Sequence, residues 1–215
     1  MRNLIIISIL FCSAFYANSQ NFKSSEFAFF GGKSFYRFQF RADNQNEGIQ
    51  YRYRDGYNYG VSQYFSWNER YSMRGELIAY QAGSQADYGG NMVSWKLNYI
   101  GLGGAYLFSV IEKNQFFKYR IETGLNVGFD YLLNAYQQVN SITYNLKEEG
   151  SLKPFNLRVG PVVRVRYNPI PKIYLGLEYR FDYGLLQIED RDQEIGQKTN
   201  NMGHMAQAFV SLRMF

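Results

Sequence analysis

The chain has 215 residues, with 23 Lys and Arg, 18 Asp and Glu, one His and one Cys, a length suited to a single domain. Its 20 Tyr and 18 Phe against only 4 Pro favour strands and argue against disorder. The formal charge of +5 is too weak and too dispersed to point to nucleic acid, and no such partner is expected.

The N-terminus reads as a secretory leader. Arg2 is the basic end, Leu4 to Phe11 the apolar run and Ala17-Asn18-Ser19 a small-x-small cleavage site. Residues 1–19 are expected to be a signal peptide and 20–215 a single domain beginning at Gln20. The apolar run is too short to span a membrane as a helix, and no later stretch reaches the ~18 apolar residues that a spanning helix needs. Cys12 falls inside the leader, and Phe11 before it does not fit a lipoprotein processing box. The mature chain is therefore expected to carry neither a disulfide framework nor thiol chemistry.

Period-two alternation then recurs through the chain, the mark of strands with two unlike faces. A first strand is expected over 25–40, with Ala28, Phe30, Tyr36, Phe38 and Phe40 on one face and Phe27, Phe29, Lys33, Phe35, Arg37 and Gln39 on the other. Residues 41–56 read as a polar excursion, although Tyr51 and Tyr53 already alternate with Arg52 and Arg54. The second strand, 57–67, sets Tyr57, Tyr59, Val61, Phe65 and Trp67 against Asn58, Gly60, Ser62 and Ser66. Asn68-Glu69 is a tight turn. The third strand, 70–83, opposes Tyr71, Met73, Leu77 and Ala79 to Ser72, Arg74 and Glu76, and 84–92 reads as a polar loop. The fourth, 93–109, opens with Trp95, Leu97 and Tyr99 as its apolar set. Its phase is lost at Gly101-Leu102-Gly103-Gly104, where a bulge or bend is expected to switch faces.

The fifth strand, 116–133, is clean: Phe117, Tyr119, Ile121, Leu125, Val127, Phe129, Tyr131 and Leu133 oppose Lys118, Arg120, Glu122, Asn126 and Asp130. A long polar loop covers 135–153. The clearest pattern follows, a hairpin from Pro154 to Leu186 turning at Asn168-Pro169-Ile170-Pro171-Lys172. Ile173, Leu175, Leu177, Tyr179, Phe181, Tyr183 and Leu185 alternate with Glu178, Arg180 and Asp182. Phe155, Leu157, Val159, Pro161, Val163, Val165 and Tyr167 alternate with Arg158, Arg164 and Arg166. Pro161 is its weak point, a missing ladder donor. A polar stretch, 187–201, leads to the eighth strand, 202–215, with Ala206, Ala208, Val210, Leu212 and Met214 on one face.

Eight strands with short connections after the second, fourth and sixth, and longer ones after the others, predict an all-β, eight-stranded antiparallel up-and-down barrel of the outer-membrane type. Three features set the apolar face towards lipid. Thirteen residues from Ile173 to Leu185 extend roughly 43 Å, or about 30 Å when tilted by ~45°, the hydrocarbon thickness. The polar face holds both signs with Arg prominent, a residue suited to enclosed multidentate pairing, and eight strands enclose a space that side chains can fill. Aromatic residues also gather at strand ends, as interfacial girdles do. The expected lumen network is Arg74, Glu76, Arg120, Glu122, Asp130, Arg158, Arg164, Arg166, Glu178, Arg180 and Asp182, with Lys33, Arg37 and Lys118 also on the polar face. Within it, Glu122 is expected to neutralise Arg120, and Glu178 and Asp182 to meet Arg164 and Arg166.

The segments RYSMRGELIAYQAGS, WKLNYIGLGGAYLF, FKYRIETGLNVGFDYLL and KIYLGLEYRFDYGL, with the terminal Phe215, resemble the PorT-type outer-membrane β-barrel proteins over essentially the whole mature chain. The resemblance lies in segment order and style. It implies the barrel fold, and for the best-known member service to a secretion system. It also implies a C-terminal strand read by the barrel-assembly machinery. Here Phe215 shares parity with Arg213 and Ser211 rather than with the apolar set, a departure from the family's usual ending.

No catalytic constellation stands out. The single His204 lies near the outer end of the eighth strand without an H-x-S arrangement and is expected to be an interfacial side chain. Glu189, Asp190, Asp192 and Glu194 are interrupted by Arg191 and lack Ca²⁺-loop spacing. Gly101, Gly103 and Gly104 precede no helix and so are not a dinucleotide fingerprint. The sequence therefore predicts a non-enzymatic integral barrel in the outer membrane of a Gram-negative cell. It is expected to contact outer-membrane lipid and the assembly machinery, to work through external loops or other envelope proteins, and to need no cofactor or metal. Tyr51, Tyr53, Tyr57 and Tyr59, placed on the first external loop, are the candidate contact surface. A narrow pore or small-ligand carrier is the alternative, and an envelope lipid-modifying enzyme a more distant one.

Overall fold

The computed structural model describes residues 22–41, 51–88, 90–111, 119–188 and 198–214; the leader, the acidic run 189–194, Lys118 and Phe215 lie outside them. The strands are β1 (Ser24–Arg41), β2 (Tyr51–Ser66), β3 (Tyr71–Tyr88), β4 (Asn91–Ile111), β5 (Tyr119–Val139), β6 (Ile142–Asn145), β7 (Phe155–Ile170), β8 (Ile173–Gly184) and β9 (Lys198–Arg213). Each pairs antiparallel with its neighbours. Pairings of β1 with β9 and of β4 with β5 close eight of them into a barrel. The four-residue β6 is the exception, a short ribbon lying against the outer end of β5. No helix among the described residues is long and apolar enough to cross a membrane.

The register fixes the shape of the barrel. Cross-strand partners run Ser24, Ser66, Ser72, Leu107, Gly124, Val162, Arg180, Met205 and back to β1 at Ser34. One circuit thus climbs from position 24 to position 34 of the same strand. A shear of ten over eight strands sets a tilt of about 40°, so each residue adds roughly 2.5 Å of height.

The outward face is apolar through the middle of the wall. On β5, Tyr119, Leu125, Val127, Phe129, Tyr131 and Leu133 are exposed. So are Phe155, Val163 and Val165 on β7, Leu175, Leu177 and Tyr179 on β8, and Val210, Leu212 and Met214 in and just after β9. Aromatic rings mark both ends of this band: Tyr119 stacks on Tyr167 at 4.9 Å at one end, and Phe129 on Phe155 at 5.3 Å at the other. The alternation in the fifth, sixth, seventh and eighth predicted strands is thus seen as drawn from the sequence. At Pro161 the β7–β8 ladder skips residues 160 and 161 without changing register, so the missing donor is absorbed locally.

Two expectations about the chain's path are corrected, the 84–92 loop and the phase switch in β4, and the hinted early start of the second strand is met. The 84–92 loop does not form: β3 runs on to Tyr88 and β4 begins at Asn91. The early start suggested by Tyr51 and Tyr53 becomes strand, with a register shift between Tyr53 and Asn58 as the irregularity. The phase of β4 does not switch at Gly101. Leu97, Tyr99, Gly101, Ala105, Leu107 and Ser109 all face inward, and Ile100, Leu102, Tyr106, Phe108 and Val110 outward, in one unbroken alternation. The glycines serve a different purpose. A Cβ on Gly101 would lie 2.0 Å from Oδ1 of Asp130, and one on Gly103 2.8 Å from Oε1 of Glu76. Both keep the inner wall thin where a lumen carboxylate leans on it.

Candidate functional site

The lumen is the most highly built part of the molecule. Arg74, Arg158, Arg164, Arg166 and Arg180 are fully buried in it with Glu26, Glu76, Glu122, Asp130, Glu178 and Asp182. Arg120, with its side chain 18% exposed, makes the signs equal at six each among the described residues. Glu76 is the hub: it receives Arg180 Nη1 at 2.6 Å, Arg74 Nη2 at 3.1 Å and Arg158 Nη2 at 3.2 Å, from three different strands. Arg158 Nε also reaches Asp130 Oδ1 at 3.0 Å. Tyr80 Oη donates to Asp130 Oδ2 at 2.9 Å, and Tyr36 Oη to Asp182 Oδ2 at 2.7 Å.

Nearer the end where β1 begins and β9 ends, Arg74 pairs with Glu178, which also accepts from Gln207 Nε2 at 2.9 Å. Arg166 pairs with Glu26, which accepts from Ser211 Oγ at 3.1 Å, and lies 3.6 Å from Glu122. Arg120 Nε meets Glu122 Oε1 at 3.0 Å, as the sequence predicts. Arg164 is held between two rings instead, 4.0 Å from the Tyr64 centroid and 3.6 Å from that of Phe209, where the π faces attract its charge. Buried charges are tolerated only when paired and hydrogen-bonded. Five of the six arginines meet a carboxylate, mostly across the lumen, and Arg164 rests on its two rings instead.

All eleven predicted network residues face inward, but their partners differ from those expected. Glu178 and Asp182 do not pair with Arg164 and Arg166 on the neighbouring strand. They pair with Arg74 across the lumen and with Arg158, Tyr36 and Asn126. A neighbour in register stands beside a side chain, whereas a long arginine aimed across a filled barrel reaches the far wall. Lys33 and Arg37 leave the lumen altogether. They point outward, Lys33 Nζ 4.0 Å above the Tyr57 ring and 3.7 Å from Asp55 Oδ2, and the Arg37 guanidinium 5.0 Å over the Tyr53 ring. Glu26, Tyr64 and Tyr99 are lumen residues that the sequence reading missed. Glu26 shares parity with Ala28, Phe30 and Tyr36, an apolar set that the lipid-facing rule sends outward and that the structure buries, with Phe27 and Phe29 outside instead.

The tyrosine set is divided. All four belong to β2 and not to a loop. Tyr51 packs inward against Trp95, whereas Tyr53, Tyr57 and Tyr59 are exposed on the outer wall. His204 is on that outer wall too, with Tyr179 Oη 2.7 Å from Nδ1, Tyr53 Oη 3.4 Å from Nε2 and the Phe181 ring beside it. Among the described residues, the hydroxyls within hydrogen-bond distance of the His204 ring are these two phenols. No group of three or more His, Cys, Asp or Glu among the described residues is placed to hold a metal.

No family model matches the sequence, and no curated protein matches it. Solved structures do match in fold. The outer membrane protein OprG from Pseudomonas aeruginosa aligns with 92% of this chain and 99% of its own, at a TM-score of 0.51 and 7% identity. Neisserial surface protein A aligns with 86% of this chain and 96% of its own, at 0.50 and 13%. At such identities the likeness is one of architecture. The chain has the closed eight-stranded antiparallel barrel fold of outer-membrane proteins.

Proposed function

We propose that this protein is an integral outer-membrane barrel without enzymatic activity that works through its outer surfaces, as an accessory subunit of a secretion or envelope complex in the manner of the PorT-type proteins it resembles. The observation that carries this reading is the filled, charge-balanced lumen. With six arginines and six carboxylates locked across it, the interior is a structural core, and contact is left to the wall and the outer rim. The leader expected at 1–19, the apolar band and the aromatic girdles support insertion in the outer membrane of a Gram-negative cell, with the extended ends of β3, β4 and β5 outside and the start of β1 and the end of β9 on the periplasmic side. The assembly machinery would meet the strand that ends near Met214.

Fractionation with heat-modifiable gel migration tests the location: a folded band that shifts on boiling, from the outer-membrane fraction, is expected. Native purification from that membrane then tests the role. Envelope proteins recovered in fixed stoichiometry support an accessory subunit. A lone barrel that gives discrete channel steps in planar bilayers replaces this reading with the narrow-pore alternative.

A further inference from the structure

We infer that the outer wall formed by β1, β2 and β9 binds a phosphate-bearing lipid of the outward leaflet, with Lys33 and Arg37 as the anion-binding groups. The inference rests on the membrane reading above. By strand count from Ser24, at ~2.5 Å per residue, Lys33 stands roughly 22 Å and Arg37 roughly 32 Å above the lower rim, against an apolar band ~25 Å tall. Lys33 therefore leaves the top of the hydrocarbon with its stem in lipid and its ammonium lifted towards Tyr57, and Arg37 emerges at headgroup level.

Cations at this depth are held where lipid phosphates lie. Arg37 has no carboxylate partner among the described residues; the Tyr53 ring beneath it orients the guanidinium and leaves its edge available. Lys33 has one, Asp55, but at 3.7 Å with side-chain exposures of 45% and 69%, a loose pair that an incoming phosphate can replace. The rest of the patch suits a headgroup: His204 is paired with Phe35, the β1 residue between the two cations, and the phenol of Tyr53 reaches its ring. The facing wall differs. The outward residues Ile100, Phe129, Tyr131, Leu157 and Phe155 around β4, β5 and β7 carry no charge, the next outward cation on β4 is Lys96, four residues beyond Ile100, and Lys147 beside Tyr131 already donates to the carbonyls of Leu132 and Leu133 at 3.1 and 2.7 Å. Charge complementarity thus singles out one side of the barrel.

The test is native mass spectrometry of the folded barrel in neutral detergent, titrated with diphosphorylated lipid A, with the same lipid after dephosphorylation, and with phosphatidylcholine. Preferential retention of the phosphorylated lipid is expected. K33Q and R37Q should each lower it about fivefold, the worth of one basic residue near an anionic surface, and D55N should raise it. Heat-modifiable migration of every variant reports folding, so loss of the barrel is read separately from loss of the lipid site. Equal retention of the three lipids, unchanged retention by K33Q/R37Q, or loss of retained lipid A to inorganic phosphate alone at millimolar concentration would overturn the assignment to a lipid phosphate on this wall.

Discussion

The lower part of this barrel and its outer end are built on opposite rules. Within the apolar band, side chains such as Leu102, Leu125, Val163 and Leu177 face outward while Glu76, Asp130, Arg158 and Arg180 fill the interior. Towards the outer end the order reverses. Leu97, Tyr99, Leu132, Ala135, Leu146 and Ile188 form an inward cluster with Phe38, and Trp95 and Leu152 pack against it. The outward neighbours there are Lys96, Asn98, Gln81 and Gln85. The backbone is continuous through the change; what differs is the solvent. A wall in lipid hides its charges inside, and a wall in water hides its apolar groups there. The extension of β3, β4 and β5 beyond the band is, in effect, a small soluble β domain grown on a membrane barrel.

The largest expected effect breaks the charged half. Glu76→Ala removes the carboxylate shared by Arg74, Arg158 and Arg180 and leaves three buried guanidinium groups short of a partner. A loss of about 3–5 kcal/mol is expected, read as a lower urea midpoint for refolding into detergent micelles. In the apolar half, Leu97→Ala opens a cavity in a fully buried site and should cost about 2–5 kcal/mol. Its signature differs: proteolysis of the outer extension is expected to accelerate while the membrane-embedded part keeps its heat-modifiable migration. If Leu97→Ala instead abolishes the heat shift, the two halves are one cooperative unit rather than two.

The reversal also accounts for what the sequence conceals. The faces of β5, β7, β8 and β9 were legible because their apolar outward sets run through the band unmixed, as in Leu125, Val127 and Phe129. β4 was not, because its apolar residues change sides: Ile100, Leu102 and Tyr106 face lipid, and Leu97 and Tyr99 face the outer core. That pattern mimics a kink, and the glycines at 101, 103 and 104 strengthened the illusion. Period two reports which residues share a face, but neither which solvent that face meets nor who stands opposite. For the same reason the inward arginines were legible and their partners were not. Arg74 and Glu178 are 104 positions apart, and their meeting depends on a closed barrel with a shear of ten. Lys33 and Arg37 were misassigned because charge was taken to mean interior, whereas near the end of a membrane wall a long cation can surface.

Substitutions on the two faces of the wall sharpen the comparison further. Gly101→Ala places a methyl group where the Asp130 carboxylate stands. The expected cost is about 1–3 kcal/mol from overpacking, with Gly104→Ala, whose Cβ would lie 3.4 Å from the nearest atom, the Arg74 carbonyl oxygen, as the milder control. A matched pair of outward arginines is the most direct probe of the boundary. Leu177→Arg enters the band well below its upper edge and should cost about 2–4 kcal/mol, as an arginine exposed to hydrocarbon does. Asn98→Arg, also outward but on the part of β4 that lies above the band, should change stability by less than about 0.5 kcal/mol, because its guanidinium remains in water. Both are scored by the urea midpoint in the same lipid. The small effect is the more demanding result: a cost at Asn98 equal to that at Leu177 would place the outer core inside the membrane, and the reversal of faces would then require a cause other than solvent.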